Sequence, residues 1–209
     1  MGKMVMNAAE SAELIKKFVS VPQSQVVKNV SEINVKAPLV LKILSKDAVH
    51  KTDVGGVKIV MNQELLGKSF DELVNVSKFN KMNFEGIYIQ EFVKGVETII
   101  GIKRDPIFGP MIVFGLGGVF AEVLKDTSTR RCPISLDDAQ EMIDSLKSSK
   151  IFYGFRGMKV NFNNLKKSLV EISKLPEKYK EVEELDINPF ILTEKKGFAA
   201  DARVVIRSE

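Results

Sequence analysis

An apolar run interrupted by one lysine is the feature that most constrains the fold of this chain. Residues 38–44 read Pro-Leu-Val-Leu-Lys-Ile-Leu. A short and nearly continuous apolar run is typical of a strand that is buried on both faces. Lys42 lies inside this run, and burial of an ammonium group without an anionic partner is costly. The run therefore predicts a buried strand whose lysine contacts either a neighbouring carboxylate or an anionic ligand.

Further strand-like and helix-like segments follow each other without a regular alternation. Strands are predicted at 57–60, 87–93, 97–103, 110–114, 184–192 and 198–206, and helices at 8–19, 69–80, 135–147 and 162–175. Ser69 and Glu72 have the spacing of a capping box at the start of the second helix. This mixture predicts an α+β (α/β) fold and not a doubly wound sheet. We expect two lobes, a small one over 21–91 and a larger one over 92–209, preceded by an N-terminal helix over 1–20.

Composition excludes several classes of protein. Of the 209 residues, 44% are hydrophobic and 28% are charged, which is ordinary for a folded domain and wrong for a disordered chain. The net charge of +4 is too small to require nucleic acid as a partner. The single cysteine, Cys132, excludes an internal disulfide and suits a reducing compartment. Because neither a signal peptide nor a membrane-spanning run is visible, we expect a soluble, cytoplasmic protein.

Two partial nucleotide motifs are rejected. The segment 67–69, Gly-Lys-Ser, resembles the end of a Walker loop, but Asn62 stands where that loop has its first glycine. The segment 115–117, Gly-Leu-Gly, resembles the start of a dinucleotide fingerprint, but Phe120 replaces its last glycine. Neither segment predicts a phosphate site.

The loop that follows the apolar run contains the only histidine of the chain, His50. Gly55 and Gly56 end this loop and would let backbone N–H groups approach an anion, although a plain turn would need the same residues. An imidazole can accept a phosphoryl group as a nucleophile, and ammonium groups around it would offset the incoming charge. The lysines near His50 are Lys46, Lys51 and Lys58. From the residues alone, a surface histidine without a chemical role stays an alternative.

A second group of polar residues lies near the C-terminus. Asp186 and Asn188 are two residues apart, so on a strand they share one face. Asp201 lies beyond the turn at Gly197, and a paired strand can bring it next to Asn188. Carboxylate and amide oxygens are ligands that suit Mg²⁺. The alternative is a polar hairpin edge without a metal.

Together these segments resemble the ATP-grasp fold, and specifically the nucleotide-binding (beta) subunit of ADP-forming acetyl-CoA or acyl-CoA synthetases. The resemblance covers essentially the whole chain. It is carried by LVLKILSKDAVHKTDVGGVKI at 39–59, by IQEFVKGVETIIGIKRDPIFGPMIVFGLGGVFAEVLKD at 89–126, and by ELDINPFIL and DARVVI near the end. The order of the HKTDVGG and RDPIFGP…GLGG blocks is specific to this family, whereas single ATP-grasp elements are not.

The resemblance implies a nucleotide, ATP or ADP, bound between the two lobes. Lys42 and Lys58 would contact its phosphates, together with the Gly55-Gly56 turn. Residues 90–93 would form the hinge whose backbone reads the adenine edge. The hinge residues that are implied as nucleotide contacts are Gln90, Glu91 and Val93, and Glu97 would contact the ribose or assist at the phosphates.

The resemblance also implies the metal and the reaction. Asn188 and Asp201 would hold Mg²⁺, with Asp186 nearby, and His50 would carry a phosphoryl group to ADP. The reaction of the family is acyl-CoA + ADP + phosphate ⇌ carboxylate + ATP + CoA. The segment 27–38 is shorter than in the family pattern. This difference affects the packing of the small lobe and none of the motif residues.

A partner is implied because the chain has one histidine and no recognisable CoA-binding fold. We expect a CoA-binding alpha subunit that carries the other catalytic histidine, in a heterotetramer. Two alternatives stay open. One is an ATP-grasp carboxylate–amine ligase, which would not need His50, and the other is a nucleotide-sensing subunit without catalysis.

Overall fold

The computed structural model describes residues 2–45, 55–118, 126–157 and 159–207. The chain divides into two compact units. The large unit comprises Met1–Met6, Glu10–Val21 and Lys94–Glu209, and the small unit comprises Asn7–Ala9 and Pro22–Val93. The sequence places the corresponding lobe boundaries after residues 20 and 91.

The small unit is built on an antiparallel sheet, which has four strands in the described residues. The strands are β2 (Ser24–Val27), β3 (Leu39–Ser45), β4 (Val57–Val60) and β5 (Phe84–Glu91), in the order β2-β5-β3-β4. Helix α2 (Leu66–Phe79) covers one face. Leu39, Leu41 and Ile43 of β3 are 0% exposed and pack on that side with Phe70 and Leu73 of the helix. The prediction of a buried strand at 38–44 is confirmed, with a shift of one residue.

The predicted start of helix α2 is wrong. The sequence predicts Ser69 as the cap, but the helix begins at Leu66, directly after a 3-10 turn at Gln63–Leu65. The side chain of Asn62 caps this turn by accepting a hydrogen bond from the N–H of Glu64 at 3.2 Å. Because the helix starts earlier, both Ser69 and Glu72 lie inside it and do not form a capping box. Its carboxylate instead pairs with a strand lysine.

The large unit contains a second antiparallel sheet, with seven strands among the described residues. Strand order is β1-β11-β9-β6-β7-β8, and β10 pairs with β9. The bounds are Lys3–Val5 (β1), Val96–Asp105 (β6), Gly109–Leu116 (β7), Thr127–Arg131 (β8), Val182–Leu192 (β9), Gly197–Ala199 (β10) and Ala202–Arg207 (β11).

Helices cover one face of this sheet and enclose the larger core. They are α1 (Ala8–Ile15), α3 (Leu136–Asp144), α4 (Phe162–Ser173) and α5 (Leu175–Lys178). The predicted start of α3 at Ser135 is confirmed. The Ser135 hydroxyl accepts from the N–H of Asp138 at 3.1 Å, and the Asp138 carboxylate accepts from the N–H of Ser135 at 2.8 Å. These two bonds satisfy donors that the first helical turn leaves open.

Three strands were not predicted, namely β1, β2 and β8. Each is three to five residues long, and each is the terminal strand in the strand order of its sheet. Among the residues that the structure describes, no helix has the length and apolar character needed to cross a membrane.

Candidate functional site

The central strands of the large unit bury one face of the sheet and leave the other face open. On β6, Thr98, Ile100 and Ile102 point into the core and are at most 2% exposed. Successive side chains alternate between the two faces of a strand, so Glu97 and Lys103 lie on the opposite side, which we call the open face. The register with neighbouring strands adds further residues to the open face: Val113, Thr129, Asp186, Asn188, Asp201 and Arg203.

Asn188 and Asp201 are direct neighbours on the open face. The backbone N–H of Asn188 donates to the carbonyl oxygen of Asp201 at 3.1 Å. The adjacent register pairs Ile187 with Ala202 and Asp186 with Arg203. The side chains of Asp186, Asn188 and Asp201 are all exposed. The pairing of β9 with β11 therefore brings one amide and two carboxylates to the same part of the sheet, as their spacing predicts.

Asp186 has an unusual environment for an exposed carboxylate. It borders a cavity of about 190 Å³ whose lining includes Lys103, Glu184 and Arg203. Loss of hydration in this cleft raises the pKa of Asp186 above its ordinary value. The Arg203 guanidinium acts against that rise, and the Asp201 carboxylate adds to it. Two acidic and two basic groups thus share one concave surface, where a further cation or a phosphate would meet opposite charges.

Glu97 lies at the start of β6, next to a glycine-rich turn. The N–H of Gly117 donates to the Glu97 carbonyl oxygen at 2.9 Å. A Cβ atom at Gly117 would come within 2.9 Å of the backbone nitrogen of Thr98, and one at Gly118 would lie 3.0 Å from Glu97 Oε2. Side chains at 117 and 118 would therefore displace β6 or the Glu97 carboxylate. The glycines at 117 and 118 thus have a packing reason that is independent of any dinucleotide motif.

In the small unit, Lys42 is 6% exposed and lies on the sheet face opposite helix α2. It pairs in the register with Val57 and Tyr88, whereas Leu41, its neighbour, points to the helix side. Gln90, 3% exposed, lies two residues from Tyr88 and so shares the face of Lys42. The structure thus brings two of the predicted nucleotide contacts, Lys42 and Gln90, to one face.

Lys58 is not brought together with Lys42. It pairs with Leu41 in the register and therefore lies on the helix side of the sheet. Its Nζ atom lies 2.5 Å from Oε2 of Glu72 on helix α2. Hydrogen bonding to Lys58, and then its positive charge, lower the pKa of Glu72. In this arrangement the ammonium group of Lys58 is neutralised by a carboxylate of its own unit.

The predicted hinge residues have part of their backbone already bonded. The N–H of Glu91 donates to the carbonyl of Gln23 at 2.9 Å, and the N–H of Phe92 donates to the carbonyl of Pro38 at 3.0 Å. Glu91 is exposed and Val93 is half-buried. These two donors are therefore already bonded within the chain.

The glycine turn before β4 is partly described. Gly55 has a φ of 72°, in the left-handed region that favours glycine, and no atom of the described residues lies within 4 Å of the position of an added Cβ. The carbonyl of Gly56 accepts from the N–H of Ile43 at 2.9 Å and ties the turn to β3. His50 lies outside the described residues.

Arg203 and Tyr88 lie beside the candidate site residues, and the sequence analysis missed both. The signal for Arg203 was present, because any register that places Asp201 beside Asn188 also places Arg203 opposite Asp186. Tyr88 has no sequence signal that separates it from other aromatic residues of buried strands. Its position beside Lys42 depends on the pairing of β3 with β5, and the hydroxyl donates to Ser24 Oγ at 3.0 Å.

Comparison with known proteins identifies the class. A family model described as an ATP-grasp domain matches residues 1–206. The beta subunit of acetate–CoA ligase [ADP-forming] I from Pyrococcus furiosus is 38% identical over 94% of this chain and 90% of its own length. Acetate–CoA ligase [ADP-forming] I from Archaeoglobus fulgidus is 44% identical over 82% of this chain, which spans only 26% of that longer protein.

Solved structures agree with this match. The dinucleotide forming acetyl-coenzyme A synthetase 1 of Ca. Korarchaeum cryptofilum, in complex with coenzyme A, Ca-AMPCP and HgCl⁺, superposes with a TM-score of 0.93 at 38% identity. The match covers 98% of this chain and 94% of that one. Another structure of the same archaeal protein (TM-score 0.85, 36% identity, 97% and 93% of the chains) contains Mg-AMPPCP, with its phosphohistidine segment pointing towards the nucleotide binding site.

The chain therefore belongs to the ATP-grasp family, and within it to the ATP-grasp domains of ADP-forming acetate–CoA ligases. The resemblance found in the sequence is confirmed, and so is the predicted fold class. The match spans 90% of the Pyrococcus beta subunit and about a quarter of the length of the Archaeoglobus ligase.

Proposed function

We propose that this chain is the nucleotide-binding subunit of an ADP-forming acetyl-CoA or acyl-CoA synthetase, active with a partner subunit. The net reaction is acyl-CoA + ADP + phosphate ⇌ carboxylate + ATP + CoA. This chain would perform the last step, transfer of a phosphoryl group from a histidine to ADP. The observation that carries the proposal is the 38% identity to a separate beta subunit over 94% of the chain.

Asn188 and Asp201 are the proposed Mg²⁺ ligands. Their strands are paired, their side chains are exposed on the open face, and one supplies an amide oxygen and the other a carboxylate. Among the described residues there is no cluster of three or more His, Cys, Asp or Glu side chains that could hold a metal. Such a sparse oxygen-donor set fits Mg²⁺, which keeps several waters and uses phosphate oxygens of its substrate as further ligands. When bound, the ion would neutralise charge on the transferred phosphoryl group.

Lys42 is the proposed phosphate contact of the small unit. It is a buried cation on the face that it shares with Gln90, the first of the proposed hinge residues. A lysine beside a nucleotide is a compact point charge for phosphate oxygens. Glu97 on the open face of the large unit is the proposed contact to the ribose or the phosphate region. Lys58 enters the proposal only if its ion pair with Glu72 opens when nucleotide binds.

His50 is the proposed phosphoryl carrier. Support comes from the HKTDVGG block that contains it, and from the Korarchaeum structure in which a phosphohistidine segment points towards the nucleotide site. In the direction of ATP synthesis, an oxygen of the ADP β-phosphate would attack phosphorus, and the phosphorus–nitrogen bond to the imidazole would break. Gly55 and Gly56 would end this segment and let its backbone approach the phosphate.

The other steps are assigned to a partner subunit. It would bind CoA and carry a second histidine, which receives the phosphoryl group from the acyl phosphate. Support comes from relatives in which the same region is a named beta subunit, and from the longer single-chain ligase of which it forms 26%. A heterotetramer and a cytoplasmic location remain predictions of the sequence.

The test uses the fact that His50 is the only histidine of the chain. With γ-labelled ATP and Mg²⁺, in the presence of the partner subunit, the chain should acquire a label that is lost in acid and retained in alkali, as expected for a phosphoramidate. His50→Asn should abolish the label on this chain while ADP affinity stays within about 3-fold, since a carrier does not clamp the nucleotide.

The same experiment separates the alternatives. A carboxylate–amine ligase would turn over through a free acyl phosphate and leave the chain unlabelled. A nucleotide sensor would bind ADP and show no Mg²⁺-dependent exchange of phosphate between ATP and ADP. Near-normal ATP synthesis from acyl-CoA by the complex with His50→Asn would refute the relay through this chain.

A further inference from the structure

A cleft with four lysines lies on the helix-covered side of the large unit. Its volume is about 530 Å³, which is within the usual range of small-molecule sites. It is lined by the segment after α1, by helix α4 and by the turn before β10, and we call it the lysine cleft. The charged residues of its lining are Lys16, Lys17, Lys167, Lys196 and Glu171. Because 31 basic residues face 27 acidic ones in the whole chain, this lining is a local excess of positive charge.

Carboxylates balance only part of this charge. Glu171 Oε1 lies 2.6 Å from Lys174 Nζ, so a lysine outside the lining already neutralises this glutamate. Lys16 Nζ lies 3.4 Å from Glu13 Oε1, and water screens this pair because both side chains are exposed. The other three lysines of the lining form no ion pair within the described part of the chain. The cleft therefore keeps a positive charge that an anion would neutralise.

Neutral side chains position two of these three ammonium groups. Lys17 Nζ donates to the hydroxyl of Tyr179 at 3.0 Å and lies 5.3 Å from the centre of its ring. Lys196 Nζ lies 4.9 Å from the centre of the Phe198 ring. Lys167 is exposed on helix α4. An aromatic contact stabilises an ammonium group in place without cancelling its charge.

The backbone of the lysine cleft is held by bonds between its segments. The N–H of Gly197 donates to Asn164 Oδ1 on α4 at 2.7 Å. The N–H of Ala199 donates to the carbonyl of Ser20 at 2.9 Å. Phe18, from the same segment as Ser20, is 9% exposed and belongs to the core of the large unit. The segments that carry the lysines are thus joined to each other, and the cleft is formed without a ligand.

The chemistry of the lining favours a compact ligand with several negative charges. An ammonium group is a point charge with three donors, which suits phosphate oxygens. Single-stranded nucleic acid needs accessible aromatic rings on which its bases stack. Phe18 is the aromatic residue of this lining, and its ring is buried. A diphosphate group meets the requirement, because it places several charged oxygens within one small unit.

We propose that the lysine cleft binds a diphosphate group, either as inorganic pyrophosphate or as part of a nucleoside diphosphate. The cleft lies on the helix side of the large sheet, whereas Asn188 and Asp201 lie on its open face. Its lining contains none of the residues proposed to contact the nucleotide or Mg²⁺. The cleft is therefore an anion site in addition to the proposed nucleotide site, and it does not depend on the proposed reaction.

Isothermal titration calorimetry of the full chain with inorganic pyrophosphate, in EDTA and at constant ionic strength, tests the proposal. Saturable binding with a Kd below about 1 mM is expected from several charge-assisted hydrogen bonds. Lys167→Met combined with Lys196→Met should weaken this binding about 10-fold or more. Lys147→Met combined with Lys150→Met is the matched control, because it removes the same charge from exposed lysines of the large unit outside the lining. This control, and Lys42→Met at the proposed nucleotide site, should keep the affinity within about 3-fold.

Titration with ADP identifies the source of the diphosphate. A second ADP site that is lost in the Lys167→Met, Lys196→Met variant would assign the cleft to a nucleoside diphosphate. Pyrophosphate binding without a second ADP site would assign it to the free anion. Thermal unfolding of the variants should match that of the original chain, since the exchanged side chains are exposed.

Three results would overturn the proposal. One is a chain that does not bind pyrophosphate, and another is equal pyrophosphate affinity of the original chain and the Lys167→Met, Lys196→Met variant. The third is a loss of pyrophosphate binding in Lys42→Met alone, which would place the anion at the nucleotide site. If a poly-aspartate peptide binds with the same lysine dependence and pyrophosphate does not, the cleft instead holds an acidic protein segment. The proposed function is tested separately by the label on His50, which none of these variants alters directly.

Discussion

Asp201→Ala is the substitution that most directly tests the proposed metal site. The backbone of Asp201 holds β11 to β9 through the carbonyl that accepts from Asn188, and this bond does not need the carboxylate. The side chain is exposed. We therefore expect the fold to survive, with a stability change within about 0.5 kcal/mol.

The effect on nucleotide binding should be larger and should depend on the metal. A single charge at 4 Å from another contributes about 1 kcal/mol in water and about 4 kcal/mol at a typical protein surface. Because Mg²⁺ carries two charges, both interaction energies double. Since Asp201 is exposed, we use the value for water. A loss of about 2 kcal/mol corresponds to about 30-fold weaker binding of ADP in the presence of Mg²⁺.

Binding of a fluorescent ADP analogue in Mg²⁺ and in EDTA measures this difference. In EDTA the variant and the original chain should agree within about 2-fold. Asp137→Ala is a matched control, because Asp137 is an exposed carboxylate in the first turn of α3, away from the open face. Equal losses with and without Mg²⁺ would show that Asp201 acts on the protein or the nucleotide directly and not through a metal.

Three further predictions use other parts of the structure. Lys42→Met should weaken ADP binding about 10-fold or more. Lys58→Met should change ADP binding less than about 3-fold, because Glu72 already neutralises Lys58. Calorimetric titration of both variants with ADP compares the two effects. Thr98→Val removes the buried 2.7 Å bond from the threonine hydroxyl to a carbonyl of β9 and should lower the free energy of unfolding by about 1–3 kcal/mol, measured by denaturant titration. Burial raises the pKa of the Cys132 thiol from 9.0 to about 12, so alkylation at pH 8 should be about 1000-fold slower than in the unfolded chain.

Sequence patterns predicted the central strands well because burial controls them. The run at 38–44 is apolar since β3 lies between β5 and β4 and is covered on the helix side. The terminal strand β8 reads Thr-Ser-Thr-Arg-Arg and contains no apolar residue. Its inward side chain Ser128 is 7% exposed and bonds to Ser145 Oγ at 3.0 Å, a pairing that only the tertiary structure supplies. Edge strands of this kind are short and polar. Whether such a segment forms a strand depends on its pairing with a central strand and not on its own apolar pattern.

The helix start at Leu66 shows how local signals compete. Ser69 and Glu72 have the spacing of a capping box, but so does any serine followed by a glutamate three residues later. Burial of Leu66 and Phe70 against β3 and β4 extends the helix by one turn towards its N-terminus. The chain then uses Asn62 to cap the preceding turn. Tertiary packing outweighs the local cap because a buried leucine contributes more than one exposed hydrogen bond.

The proximity of Asn188 and Asp201 was predictable from the sequence, whereas the faces of Lys42 and Lys58 depend on the register between two strands. Asn188 lies in β9, and Asp201 directly precedes β11 after the short strand β10, so their separation along the chain limits how they can pair. Lys42 and Lys58 are also close in sequence, yet a shift of one residue in the pairing of β3 with β4 would exchange the face of Lys58. The observed register pairs Lys42 with Val57, which sends Lys58 to Glu72. Two lysines of one motif therefore receive different partners, and the comparison of Lys42→Met with Lys58→Met measures the consequence of that register.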